Sequence, residues 1–208
     1  MNNKLGNGST FRCLGTSTHT DHDREVLDLY CTDPKACELL LEVEPDINNA
    51  WECCTGLKHL SNVLEKYNKL GRMSDIVNRT DDNRIEVIDF LKDTNSVTWN
   101  GSIVTNPPYR NALDFVKQAL KVITEGNKVC MFLKLQFLEG KERKQFFLEN
   151  PPKIVYVCSS RIACAINGEF EKVDEKTGKS SKISSAVCYA WFVWEKGFKG
   201  ESVIRWIN

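Results

Sequence analysis

The chain has 208 residues, 41% hydrophobic and 27% charged, and its 28 basic and 28 acidic side chains cancel. This length and balance fit one soluble globular domain with a single core, and they exclude a chain that is basic overall; any nucleic-acid footprint must be local. No apolar stretch reaches about 18 residues and the N-terminus lacks an apolar signal core, so the expected location is cytoplasmic, without membrane attachment.

Nine cysteines are present, of which Cys53 and Cys54 are adjacent and Cys130, Cys158 and Cys188 lie in apolar runs. Without a signal peptide they read as reduced, mostly buried thiols, and without a CxxC no zinc site is expected.

Residues 1–24 are rich in Asn, Gly, Ser, Thr and Asp, with Leu5, Phe11 and Leu14 as the only large apolar groups, the composition of a flexible arm. His19 and His22 lie there without a third ligand, too few for a metal site. Residues 25–208 read as a single domain. Residues 25–30 suggest a short helix or turn, after which Asp33 is a plausible N-cap and Pro34 a first helical residue, with Ala36, Leu39, Leu40 and Val43 buried. A strand in residues 47–54 leads through Glu52 to Gly56, and a helix follows on Leu57, Leu60, Val63, Leu64 and Tyr67. Strand, acidic residue, glycine turn and helix make a βα unit in which glycine lets the backbone approach a ligand. Asp75 ends the next short strand, residues 71–77, nineteen positions after Gly56. An acidic residue about 20 positions after such a turn typically takes a ribose hydroxyl pair. Residues 80–84 are a polar turn, and residues 85–91 read as a third strand ending in Asp89 and Phe90.

The stretch Gly101-Ser-Ile-Val-Thr-Asn-Pro-Pro-Tyr109 organises the rest. Ile103 and Val104 suit a buried strand, and Pro107 and Pro108 must end it because they cannot donate ladder hydrogen bonds. Ala112, Leu113, Phe115, Val116, Ala119, Leu120 and Ile123 then recur near the helical period. Residues 128–135 read as a central strand, and a helix carrying Lys141, Arg143 and Lys144 turns Phe146, Phe147 and Leu148 inward until Pro151 and Pro152 stop it. Strands at residues 154–158 and 186–195, an exposed insertion at about 167–185, and an edge strand at residues 202–207 complete the chain. Strands alternate with helices and the end is hairpin-like, which predicts an open α/β sheet, mostly parallel, with one late antiparallel strand.

Asn106 to Tyr109 therefore stand at the carboxyl end of a strand, where open α/β sheets hold ligands. An amine conjugated to an aromatic ring is a poor nucleophile because its lone pair is delocalised. The Asn106 side-chain carbonyl and the Pro107 backbone carbonyl could accept both amine hydrogens and favour a pyramidal nitrogen, held in place by the stiff proline pair. Tyr109 could stack on the ring. With these residues the stretch resembles the catalytic loop of the class I S-adenosylmethionine-dependent amino-methyltransferases, most closely the DNA adenine-N6 group.

The resemblance covers residues from about 28 to 195 and implies a Rossmann-like fold, a mostly parallel seven-stranded sheet with helices on both faces. It implies S-adenosyl-L-methionine as cofactor and Asn106, Pro107, Pro108 and Tyr109 as the catalytic loop, Asn106 also bordering the cofactor. Tyr30-Cys-Thr-Asp-Pro34 resembles, with one inserted residue, the segment that lines the methionine end, which brings in Tyr30 and Thr32. Glu52, Gly56, His59, Leu60 and Ser61 fall in step with the first cofactor motif, which brings in Cys53 and Cys54 between them, although Cys53 replaces a proline and Lys58 stands where a second glycine is common. Asp75 would take the ribose, Asp89 the cofactor's adenine amino group, and Phe90 the face of that ring. Lys141 and Arg143 read either as phosphate contacts bordering the substrate cleft or as a solvated helix face. In the insertion Lys172, Lys176, Lys179 and Lys182 could touch phosphates, diluted by Glu169, Glu171, Asp174 and Glu175.

The implied activity is methyl transfer to adenine N6, foremost in DNA. The same loop chemistry also serves RNA adenine and the glutamine amide of proteins. A non-catalytic cofactor-binding interaction module is the remaining alternative, motivated by Lys58. Family members that read a DNA sequence carry a separate recognition domain, for which the chain has no room. Specificity is thus expected to be low, or supplied by a partner protein or a second copy in a homodimer.

Overall fold

A computed structural model describes residues 29–166, 168, 170–173, 180–182 and 187–208. The expected arm with His19 and His22, most of residues 25–30, and Lys176 and Lys179 of the insertion lie outside the described residues.

The chain enters at β1 (Tyr30–Thr32), and α1 (Pro34–Val43) begins as its sequence dictates, with the Asp33 carboxylate accepting from the Lys35 N–H at 2.9 Å. Then come β2 (Ala50–Glu52), α2 (His59–Lys66), β3 (Leu70–Asp75) and β4 (Glu86–Val87). A short helix α3 (Phe90–Asp93) precedes β5 (Ile103–Thr105), and a 3₁₀ turn (Tyr109–Asn111) opens α4 (Ala112–Val122). The second half holds β6 (Lys128–Lys134), a 3₁₀ turn (Leu135–Leu138), α5 (Lys141–Glu149) and β7 (Ile154–Cys158). It continues through β8 (Cys164–Ile166), β9 (Glu171–Val173), β10 (Ser180–Lys182), β11 (Tyr189–Glu195) and β12 (Val203–Ile207).

The main sheet has the order β12-β7-β11-β6-β5-β2-β3-β4. All its neighbouring pairs are parallel except those that β11 makes with β6 and β7. The expected α/β architecture is therefore present, with eight strands rather than seven. The extra one is β12, which pairs in parallel with β7 along the sheet edge. Alternation on the strands divides the core. Val104, Cys130, Phe132 and Trp191 meet Leu40, Leu60 and Leu64 of α1 and α2 on one face. Ile103, Val129, Met131 and Phe192 meet Phe115, Val116 and Phe146 of α4 and α5 on the other.

Four local readings are corrected. The third strand is two residues long, not seven, because the Asp89 carboxylate accepts from the Leu91 N–H at 3.1 Å and starts a helix there. Leu148 is 69% exposed, since α5 turns only Phe146 fully into the core. Tyr67 caps the C-terminus of α2 and is 45% exposed, and the Cys188 thiol precedes β11 and is exposed. Lys128 opens an otherwise apolar strand, yet it is buried and ion-paired to Glu44 at 2.5 Å and Asp46 at 2.6 Å.

Candidate functional site

Parallel strands run the same way, so their C-terminal residues gather at one end of the sheet. Glu52, Asp75 and Thr105 end β2, β3 and β5, and Lys134 ends β6 beside them. A cleft of about 930 Å³ opens there. All of Tyr30, Thr32, Glu52, Cys53, Cys54, Gly56, Asp75, Asp89, Phe90, Asn106, Pro107, Pro108 and Tyr109 line it. Lys141 and Arg143 do not line it. Lys141 is exposed, and the Arg143 guanidinium donates to the Glu139 carbonyl at 2.6 Å and lies over the Phe137 ring. Lys179 lies outside the described residues.

The groups around the Gly56 turn are tied to one another. Gly56 has φ +53°, and its N–H donates to Asp75 Oδ2 at 2.8 Å; a Cβ there would come within 2.9 Å of Leu29 Cδ1. The other Asp75 oxygen accepts from the Arg79 guanidinium at 3.0 Å. Lys58, at the place of the second glycine, adopts φ +68° and is held by an ion pair to Asp82. The left-handed turn that glycine would favour is thus formed by a lysine with an anchored side chain.

Glu52 is buried and accepts from the Ser61 hydroxyl. Burial pushes its pKa up to about 8, against the opposing hydrogen bond from Ser61. Asp89 is held below the usual carboxylate range, first by the Lys92 ammonium at 2.9 Å. The Phe90 ring is committed to the core: it stacks on Phe115 at 5.5 Å and meets Trp51 edge-on. Apolar surface in this half of the cleft comes instead from Ile76, 61% exposed directly after Asp75, with Ile88 and Leu91. Ile76 is a functional candidate that the sequence reading passed over; its one signal is a bare isoleucine following an acidic strand end.

The loop after β5 is the most constrained part. Asn106 Nδ2 donates to the Thr32 hydroxyl at 2.7 Å and to the Tyr30 carbonyl at 3.3 Å. A backbone carbonyl can only accept, so the amide nitrogen must face Tyr30 and the amide oxygen must face away. Asn106 Oδ1 is buried and has no hydrogen-bond donor among the described residues. β1 is held for this task by its antiparallel pairing with β8, which sets Thr32 opposite Cys164. Pro107 is buried, Pro108 is exposed, and the Pro108 carbonyl accepts from the Asn111 N–H at 3.0 Å, closing the 3₁₀ turn.

Tyr109 sits among Tyr30 and Tyr189, with centroids 6.0 and 6.1 Å away, and its hydroxyl donates to Cys164 Sγ at 3.6 Å. Burial raises the Tyr109 pKa well above the ordinary phenol value, so the ring stays neutral. Lys134 Nζ lies 4.6 Å from the Tyr109 ring centroid, a cation over an aromatic face. The sequence reading passed over this residue as well, because a lysine closing an apolar strand looks like an ordinary terminus. No group of three or more potential metal ligands occurs among the described residues, and no helix there is long and apolar enough to cross a membrane.

No protein family's sequence profile matches the chain, and no curated protein matches it by sequence. Solved structures match it by shape. A protein from Agrobacterium tumefaciens described as a predicted O-methyltransferase superposes with TM-score 0.55 at 13% identity, over 84% of this chain and 85% of its own. A candidate class I S-adenosylmethionine-dependent methyltransferase from Listeria monocytogenes gives TM-score 0.51 at 11% identity, over 82% of this chain and 62% of its own. The modification subunit of a candidate type I restriction enzyme from Vibrio vulnificus gives TM-score 0.51 at 11% identity, over 83% of this chain and 45% of its own. At such identities the likeness is one of fold, and the fold of this chain is the Rossmann-like α/β architecture of these proteins.

Proposed function

We propose that the chain is an S-adenosylmethionine-dependent methyltransferase acting on the exocyclic amino group of adenine, foremost in DNA. The observation that carries this reading is Asn106 Oδ1, a buried acceptor in the cleft wall with no donor among the described residues, its amide fixed by Thr32 and Tyr30. An orphaned buried acceptor costs stability, on the order of 1–3 kcal/mol, unless a ligand supplies the missing hydrogen. An amino group does so.

The other half of the cleft fits the cofactor. Acidic side chains end β2 and β3, a third acid follows β4, and Ile76, Ile88 and Leu91 place apolar surface between them. Asp75 would hold the ribose hydroxyls, Asp89 the adenine amino group, and Tyr30 and Thr32 the methionine end, with Glu52, Cys53, Cys54 and Gly56 shaping the floor. When bound, S-adenosylmethionine supplies a methyl group made electrophilic by its sulfonium. The chain's own residues do the rest. Tyr109 takes the target base, which leaves its helix at a cost of a few kcal/mol. Asn106 Oδ1 and the Pro107 carbonyl accept the two amine hydrogens and so localise the nitrogen lone pair. No strong base is needed, because the amine can release its proton to water after it has been alkylated.

The experiment is transfer of labelled methyl from S-adenosylmethionine to duplex DNA, single-stranded DNA, RNA and a protein extract in parallel. Label in DNA is the expected result and shows which strand form is used. Label confined to RNA or protein moves the same loop chemistry to another acceptor. Measured cofactor binding without label in any acceptor leaves a non-catalytic cofactor-binding module.

A further inference from the structure

The ammonium of Lys134 stands over the ring on which the proposed function stacks the substrate base. It is the last residue of β6, lines the cleft, and lies 4.6 Å from the Tyr109 centroid. Its position is fixed from two sides. In the antiparallel pairing of β6 with β11, Lys134 is directly opposite Tyr189, and Tyr189 in turn flanks Tyr109. Lys128, at the other end of the same strand, is held by two carboxylates; no carboxylate pairs with Lys134 among the described residues. Among the described residues the contact of this cation is with an aromatic face, a weak arrangement that a ligand can displace.

A flat ring stacked on the same face would lie ~3.5 Å above it, in the layer that the ammonium now fills. Base and ammonium cannot share that layer over the ring. The lysine stem is flexible and its head carries three donors, so the displaced ammonium moves sideways within the layer to the rim of the base. Ring-nitrogen lone pairs point outward in that plane, whereas phosphates lie outside it. Two ring acceptors flank the amino group of adenine, N1 and N7, and N1 is the one in the six-membered ring that carries the amino group.

We infer that Lys134 is a specificity-determining residue: an adenine stacking on Tyr109 displaces its ammonium, which then donates a hydrogen bond to adenine N1 while Asn106 holds the amino group. This inference rests on the adenine-N6 reading above. It makes the site selective for an amino group that adjoins a ring acceptor, and it gives the Tyr109 face a polar cover when no base is bound.

The test compares wild type, Lys134→Met and Lys134→Arg on oligodeoxynucleotides carrying adenine or 1-deazaadenine, in which N1 is replaced by C–H. Readouts are kcat/KM at low and high salt, cofactor affinity and Tm. Lys134→Met should lose about tenfold or more in kcat/KM on adenine, the size of one charged hydrogen bond, equally at both salt concentrations and with unchanged cofactor affinity. Wild type should lose as much on 1-deazaadenine, where Lys134→Met should lose nothing further. Lys134→Arg, which keeps the cation, should recover most of the activity on adenine and so separates the role from a packing defect. The inference is overturned if Lys134→Met acts normally on adenine, if its deficit is the same on both bases, or if the deficit fades with salt as a phosphate contact would. Failure of wild type itself to methylate adenine in any strand form would overturn the adenine reading and this inference together; it is told apart because Lys134 is then in place.

Discussion

Asn106 has two ends with opposite duties. Its nitrogen is consumed in holding the side chain to Thr32 and the Tyr30 carbonyl, which leaves the oxygen for the amine in the proposed reaction. In the proposed reaction Thr32 is thus a positioning residue, acting through Asn106. Thr32→Val removes the 2.7 Å contact while keeping the shape, and should lower kcat about tenfold at saturating cofactor, over and above any change in cofactor Kd from its place at the methionine end; Thr32→Ser should restore most of it. A loss of cofactor affinity alone would show Thr32 to be only a wall of the cleft. Glu52 gives a second test. Its folded pKa of about 8 exceeds the unfolded value of 4.5, so from pH 4.5 to 8 the folded chain holds a proton that the unfolded chain has released. Its contribution to stability is full below pH 4.5 and is lost as pH rises through 8. Urea midpoints measured from pH 5 to 8 should fall more steeply for wild type than for Glu52→Gln, and parallel slopes would contradict the assignment.

At the scale of elements, what the sequence made legible was strand ends. β-branched residues followed by prolines located β5 and its loop, and the Asp33-Pro34 pair located α1, because those effects act within a few residues. The spacing from Gly56 to Asp75 was legible too, and the two are joined by a hydrogen bond. What escaped depends on competition between neighbours. Residues 85–91 look like a strand by composition, yet the Asp89 carboxylate captures the Leu91 N–H and the helix wins. Phe90 looks free to face a ligand, yet Trp51 and Phe115 surround its ring, a contact that no periodicity reveals. Lys58 breaks the glycine pattern of its turn, and only the partner Asp82, distant in sequence, shows how the left-handed backbone is kept.

At the scale of the molecule, the two ends of the sheet have separated tasks. The carboxyl ends of the strands carry the cleft, and the opposite end of β6 carries a buried ionic group in which Lys128 meets Glu44 and Asp46 while the Tyr156 hydroxyl donates to Glu44 at 2.7 Å. Lys128→Ala would leave Glu44 buried beside an unfilled site. It should cost about 3 kcal/mol and roughly 5–10 °C in Tm without altering cofactor affinity per folded molecule. A loss below about 0.5 kcal/mol would mean that water replaces the ammonium at little cost. The order of elements, and hence the architecture, could be read from alternating patterns along the chain. The edge strand at residues 202–207 was legible as well, but its partner was not, because parallel pairing of β12 with β7 is decided by an edge left open across the whole sheet.

The most direct test of the central claim is mass spectrometry of nucleosides digested from DNA that has been incubated with S-adenosylmethionine and either wild type or Asn106→Ala. N6-methyladenine that forms with wild type and falls at least about a hundredfold with Asn106→Ala, at matched cofactor occupancy, is the predicted result. N6-methyladenine formed equally by both proteins, or none formed by wild type while another acceptor is methylated, would contradict the role given to the Asn106 carbonyl or the choice of adenine.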